Sequence, residues 1–364
     1  MNKPKHNWST QDILDIYNKP MMELLYEAAT IHRLHHDPNT VQVSTLLSIK
    51  TGGCSEDCGY CPQAARYHTN VEGNNLMTVQ QVKAQALRAK SGGSSRVCMG
   101  AAWRNVKDGE EFDQVLEMVR TINKLDMEVC CTLGMITENQ AKRLAEAGLY
   151  AYNHNLDSSE DYYKEVISTR GFEDRLQTID NVRKTNVTVC SGGIIGMGEK
   201  IEDRAGMLVA LSTLNPQPES TPINALVAVE GTPLENQEPI AIWDMIRMVA
   251  TTRIVLPETQ VRLSAGRTQM TKEGQALCFF AGANSIFAGD KLLTTPNPDV
   301  DEDMELFRAL GLTPQKPFTK KTQPQTVEAS DSEYESLGEK PKWTRPNHKI
   351  ERNELAKHKH KTLK

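Results

Sequence analysis

Three cysteines fall within eight residues in the segment Thr51-Gly52-Gly53-Cys54-Ser55-Glu56-Asp57-Cys58-Gly59-Tyr60-Cys61-Pro62. A C-x3-C-x2-C spacing in a glycine-containing loop lets three thiolates wrap one face of a cubane. Each then holds its own iron of a [4Fe–4S] cluster, and the fourth iron is left open. An open coordination position is what separates a catalytic metal site from a closed structural one. A zinc knob is the plainer alternative, but structural zinc takes four ligands and no histidine follows until His68. Three unrelated core thiols have no reason to crowd into one loop.

The remaining cysteines are Cys98, Cys130, Cys131, Cys190 and Cys278. Side chains alternate strictly along a strand. In Arg96-Val97-Cys98-Met99, Cys98 lies opposite Val97 and Met99. In Glu128-Val129-Cys130-Cys131-Thr132-Leu133, Cys130 shares a face with Thr132, and Cys131 shares the other with Val129 and Leu133. Cys190 lies with Thr188, away from Val187 and Val189, and Arg262 lies with Gln260 and Ser264. Three thiols and a guanidinium thus turn away from the helix-packing side, where uncompensated polar groups are costly. Two readings stay open here: small core hydrophobes, or ligands of a [2Fe–2S] cluster with Arg262 as a fourth partner. Cys131 and Cys278 read as core.

Positioning these groups requires a particular architecture. Strands are predicted over Val43–Lys50, Ser95–Gly100, Glu128–Leu133, Leu149–Asn155, Val187–Ser191, Ile223–Val229, Gln260–Ser264 and Ala283–Phe287. Helical patterns alternate with them, over Thr78–Lys90, Phe112–Leu125, Glu138–Ala147, Phe172–Thr185, Ile201–Leu214, Ile240–Val255 and Thr271–Phe280. Eight such units predict an α/β fold, a (β/α)8 barrel of TIM type over residues 41–318. The cysteine loop follows the first strand, at the end where such barrels carry active sites. Residues 1–40 read as a helical extension, with Ser9 and Asp12 resembling a capping box and Pro20 preceding an amphipathic Met21–His35.

Of the chain's 364 residues, 38% are hydrophobic and 24% charged, as in ordinary soluble proteins. Residues 319–364 hold eleven Lys and Arg against seven Asp and Glu, which leaves the rest of the chain at −9. An acidic body argues against nucleic acid as a partner. No apolar run is long enough to span a membrane, and no signal peptide is expected, so the predicted location is cytoplasmic. The polar tail 319–364 cannot offset its ordering entropy and is expected to be disordered, apart from a helix near Ile350–His358.

C-x3-C-x2-C with an aromatic before the third cysteine resembles the radical S-adenosylmethionine (SAM) superfamily. Gly192-Gly193-Ile194-Ile195-Gly196-Met197-Gly198-Glu199 is similar to that superfamily's G-x-I-x-G-x-x-E pattern. From roughly Trp8 to Phe318 the chain further resembles the biotin synthases. Matching stretches include Cys130-Cys131-Thr132-Leu133-Gly134, Tyr152-Asn153-His154-Asn155-Leu156-Asp157, Val189-Cys190-Ser191-Gly192-Gly193, Val261-Arg262-Leu263-Ser264-Ala265-Gly266-Arg267 and Leu292-Leu293-Thr294-Thr295-Pro296-Asn297-Pro298.

The resemblance implies a homodimeric sulfurtransferase that turns dethiobiotin into biotin. By that likeness Cys54, Cys58 and Cys61 hold a [4Fe–4S] cluster that cleaves SAM. Cys98, Cys130, Cys190 and Arg262 hold a [2Fe–2S] cluster that donates the sulfur. Tyr60, Asp157, Arg175, Gly192, Ile194 and Gly196 bind SAM, with Tyr60 against the adenine, Asp157 on the ribose and Arg175 on the methionine carboxylate. Asn155 and Asn224 bind the ureido ring of dethiobiotin. The electron comes from a partner protein of flavodoxin or ferredoxin type. Residue type alone offers plainer roles: turn chemistry for Asn155 and Asp157, and an exposed helix charge for Arg175. Another radical SAM barrel, a maturase or lyase acting on a different small molecule, is the alternative activity. A non-catalytic iron–sulfur or zinc protein is the alternative class.

Overall fold

The structure, a computed structural model, describes residues 4–289 and 291–318. The tail 319–364 and its expected helix lie outside the described residues. Two helices come first, α1 (Thr10–Tyr17) and α2 (Met21–His35). α1 opens on the expected capping box: Asp12 N donates to Ser9 Oγ at 3.1 Å, and Ser9 N to the Asp12 carboxylate at 3.0 Å.

The chain then runs β1 (Thr40–Lys50), α3 (Val79–Ser91), β2 (Arg96–Ala101), α4 (Glu110–Asn123), β3 (Glu128–Thr132), α5 (Glu138–Glu146) and β4 (Ala151–Asn153). It continues through α6 (Glu160–Val166), α7 (Phe172–Arg183), β5 (Thr188–Cys190), β6 (Gly193–Ile195), α8 (Ile201–Thr213), β7 (Ser220–Ala225) and α9 (Ile242–Val255). It ends with β8 (Gln260–Leu263), α10 (Lys272–Phe280), β9 (Ser285–Phe287), β10 (Lys291–Leu292), β11 (Thr295–Pro296), α11 (Val300–Leu310) and β12 (Thr313–Pro314). Strands β1, β2, β3, β4, β5, β7, β8 and β9 pair in parallel in that order, and β9 returns to β1 to close an eight-stranded barrel. Among the described residues no helix is long and apolar enough to cross a membrane.

Two apolar regions follow from the alternation. Val97, Met99, Val129, Cys131 and Leu133 belong to the large core between strands and helices. Cys98, Cys130, Cys190, Tyr150, Ala151, Phe287 and Leu292 form a separate cluster inside the barrel. Leu292 reaches it from the β10–β11 hairpin. At the N-terminal ends of the strands the interior is floored by charge. Arg96 Nε donates to Glu128 at 2.8 Å and Nη2 to Glu219 at 3.0 Å, and the guanidinium lies 4.9 Å from the Tyr150 ring centre. Phe318 meets Tyr150 edge-on from below, with ring centres 6.0 Å apart.

One strand departs from expectation. The segment predicted at Ile223–Val229 pairs instead over Ser220–Ala225, and β6 is an additional short strand beside it. Pro222 sits inside β7 and has no N–H to give a ladder. It is tolerated because β5 pairs with β7 only at Cys190–Ser220 and β6 resumes at Gly193–Ile223, so Pro222 lies opposite the break. Gly192 fills that break. A Cβ there would overlap the Pro222 carbonyl oxygen. Gly192→Ala should therefore destabilise the barrel by about 1–3 kcal/mol, the usual cost of an overpacked interior. A calorimetric melting temperature equal to that of the parent chain would show that β5 and β7 can spread without penalty.

Candidate functional site

The cysteine loop leaves β1 through Gly52 and Gly53, both left-handed at φ +75° and +72°, a conformation that glycine adopts without strain. It is then tied down at several points. Cys54 N donates to Gln63 O at 3.0 Å, Ala65 N to Cys54 O at 2.7 Å, and Gly59 N to Val166 O at 2.8 Å. The Asp57 carboxylate, between the second cysteine and the first, accepts from Ser168 N at 2.9 Å and Thr169 N at 3.1 Å. Burial would raise Asp57, but these bonds and the two hydroxyls outweigh it and hold the carboxyl below its ordinary value.

Burial pushes the Cys58 thiol up to about 11 and Cys61 to about 12, so loading metal must displace protons from both. Among the described residues no three His, Cys, Asp or Glu side chains converge as one metal ion would require. A cubane asks for something else, one thiolate per iron, and three free thiols on one anchored loop fit it.

Deeper in the barrel, Cys98 and Cys130 are register partners across β2 and β3, and Asn153 and Cys190 across β4 and β5. Hydrogen bonding to Cys130 draws the Cys190 thiol down to about 6, against burial and with help from Arg262; it lowers Cys98 too, while Cys130 is raised. Arg262 Nη1 lies 3.7 Å from Cys190 Sγ. Its Nε donates to Ser285 Oγ and its Nη2 to Gln42 Oε1, each at 2.9 Å. The structure thus brings Cys98, Cys130, Cys190 and Arg262 together inside the barrel. Cys131 packs on the other side, and burial drives its thiol up strongly. Three buried free thiols beside a guanidinium suit a thiolate-held cluster, whose negative charge the guanidinium would offset.

The third group lines the rim where β4, β6 and β7 end. Tyr60 donates its hydroxyl to Asp157 at 2.8 Å, and Asp157 also pairs with Arg175. Arg175 Nε donates to Tyr163 at 2.9 Å. The plain reading of Arg175 as an exposed helix charge is corrected: it is 4% exposed, because α7 turns it onto Asp157. Asp157 itself takes φ +69°, and its carbonyl accepts from Ile194 N at 2.9 Å. Asn155 Oδ1 accepts from Gly192 N at 3.3 Å, and Asn224 Nδ2 donates to Gly193 O at 2.9 Å. Gly196 N and Met197 N donate to Glu199 at 2.9 and 2.8 Å, so Glu199 braces the glycine turn. Asn155, Asp157, Gly192, Ile194, Gly196 and Asn224 therefore share one rim, with Tyr60 and Arg175 joined to it.

Sequence reasoning passed over Asn153, whose Nδ2 lies 3.2 Å from Cys190 Sγ and whose Oδ1 accepts from Thr132 Oγ1 at 3.1 Å. The alternation that turns Cys130 inward would have found it. Gln42, Ser285 and Asp57 carried no comparable signal.

A parallel barrel with this loop at its mouth defines the radical SAM class. The Radical SAM superfamily model matches residues 48–211, and the Biotin and Thiamin Synthesis associated domain matches residues 222–313. The chain is 84% identical over 349 residues to a biotin synthase of Flavobacterium johnsoniae, covering 96% of both chains. It is 82% identical to one of Flavobacterium psychrophilum, covering 97% of this chain and 98% of that one. It is 56% identical to the mitochondrial biotin synthase of Arabidopsis thaliana, covering 86% and 83%. The chain belongs to the biotin synthase family. Among solved structures, the methylornithine synthase PylB superposes with a TM-score of 0.71 at 17% identity, covering 85% of this chain and 94% of that one. The hydrogenase maturase HydG from Carboxydothermus hydrogenoformans gives 0.71 at 16% identity, covering 85% and 76%. Both share the fold.

Proposed function

We propose that the chain inserts sulfur into dethiobiotin to form biotin, with Cys54, Cys58 and Cys61 holding a [4Fe–4S] cluster and Cys98, Cys130, Cys190 and Arg262 a [2Fe–2S] cluster. When bound, the first cluster and SAM supply hydrogen abstraction from unactivated carbon, and the second supplies sulfur. The observation that carries the reading is the gathering of three inward thiols and Arg262 beneath the rim, since an enzyme that only cleaved SAM would have no use for them.

The chain's own part is positioning. Asp157, joined to Tyr60 and Arg175, would accept from the SAM ribose, Tyr60 would serve the adenine, and Arg175 would offer its remaining N–H groups to the methionine carboxylate. Main-chain groups of Gly192, Ile194 and Gly196 would border the same cofactor. Asn155 and Asn224 would meet the ureido ring as amide donors and acceptors. Ser285 and Gln42 hold the Arg262 guanidinium in place beside Cys190. The enzyme acts in the cytoplasm as a homodimer, and an electron-transfer protein of flavodoxin or ferredoxin type reduces it. Residues 1–40 form its N-terminal extension and 41–318 its catalytic barrel.

Anaerobic reconstitution with iron, sulfide, SAM, dethiobiotin and a reductant tests the reading: biotin and deoxyadenosine should both form. Deoxyadenosine without biotin would indicate a different radical SAM substrate, and zinc without sulfide in the purified protein would indicate a structural site.

A further inference from the structure

The segment joining α6 to α7 clasps the cysteine loop residue by residue. Val166 O accepts from Gly59 N, Ser168 N and Thr169 N donate to the Asp57 carboxylate, and Thr169 Oγ1 donates to Glu56. The next residue, Arg170, is 9% exposed, yet its Nε and Nη1 have no hydrogen-bond acceptor. Its nearest carboxylate among the described residues is Glu56, with Oε1 3.7 Å from Nε, and Arg104 Nε lies 3.5 Å from that same oxygen. One carboxylate thus stands between two guanidiniums and leaves a positive charge over. Arg175 is already matched by Asp157. A buried charge with open N–H groups is costly unless an anion completes it.

The cysteine loop supplies that anion once it is loaded. Three thiolates on an oxidised [4Fe–4S] core carry one net negative charge, and the reduced core carries two. Burial raises the Cys54 and Cys58 thiols, and the Arg170 charge works against it at both. We propose that Arg170 is the charge partner of the cluster held by Cys54, Cys58 and Cys61, with its open N–H groups donating to the cluster's sulfur atoms. This rests on the [4Fe–4S] reading above and adds a residue to it. Net charge and hydrogen bonds to sulfur set the potential of such clusters, and a guanidinium keeps its charge at any ordinary pH. One electron from an external reductant takes the cluster to its reduced state, with no bond made or broken at Arg170. The added negative charge is held better beside a fixed cation, so Arg170 makes the cluster easier to reduce.

Potentiometric titration of the reconstituted full chain with dithionite, read by electron paramagnetic resonance without SAM, tests this. Arg170→Gln should lower the equilibrium constant for reduction about tenfold, a fall in midpoint potential of about 59 mV for one electron. Arg170→Lys keeps the charge and should stay close to the parent. Arg104→Gln removes the other cation on Glu56 and should move the potential far less, because Arg104 is half-exposed and screened by solvent. A parent potential in Arg170→Gln overturns the proposal; if SAM affinity by equilibrium dialysis falls in that variant, the guanidinium serves the SAM carboxylate instead. An equal fall in Arg104→Gln overturns it as well, since the effect would then run through Glu56. Should Arg170→Gln fail to fold or to hold iron, Arg170→Lys decides. A full cluster at the parent potential supports the charge role, and an empty or shifted one overturns it. A parent chain that takes up no [4Fe–4S] cluster overturns the underlying reading, a result separate from all of these.

Discussion

Cys54→Ala, Cys58→Ala and Cys61→Ala should each abolish SAM cleavage itself, and with it biotin formation. A cubane held by three thiolates has none to spare, and losing one leaves an iron without its thiolate. The loss should be confined to chemistry. Loop shape comes from main-chain bonds at Cys54, Gly59 and Ala65 and from the Asp57 anchor, none of which uses a thiol. Deoxyadenosine release, iron content and melting temperature measured together check the point. Deoxyadenosine formed at the parent rate in any of the three variants would show that the first cluster lies elsewhere.

The adjacent cysteines give the second large effect. Cys130→Ala removes one of three thiols from the barrel interior, so the [2Fe–2S] absorbance and biotin formation should disappear. The first cluster, built on a separate loop, should still support some uncoupled SAM cleavage. Cys131→Ala removes one small group from the outer core, at a cost of about 1 kcal/mol, and should leave both clusters in place. The reverse pattern, with Cys131→Ala stripping the second cluster and Cys130→Ala keeping it, would mean that β3 is shifted by one residue.

These two positions show why much of the site could be read from sequence. Side-chain alternation is a local property of a strand, so the facing of Cys98, Cys130, Cys190 and Arg262 needed only the right register. The eight β/α units were legible for a similar reason, since periodicity and helix caps are local. What failed was non-local. The apolar run Ile223–Val229 resembled a strand, yet β7 begins at the buried polar pair Ser220 and Thr221, drawn there by pairing with Cys190 and Gln260. Helix α6 and the short strand β6 went unforeseen, being set by contacts such as Ile194 with Asp157. Arg175 looked like solvent-facing charge because its partner Asp157 lies 18 residues away on another element. The Asp57 anchor closes over 111 residues, far beyond any window of sequence.

The charged floor under the barrel bears on how the enzyme must schedule its work. Arg96, Glu128, Glu219 and Tyr150 fill the N-terminal end of the barrel, and Phe318 meets Tyr150 edge-on there. On the reading proposed above, dethiobiotin, biotin and any sulfur resupplied to the interior would all pass by the opposite end of the barrel, on the side of the β10–β11 hairpin. Repair and catalysis would then queue for one passage: a bound substrate would bar resupply, and an unrepaired barrel would gain nothing from binding substrate.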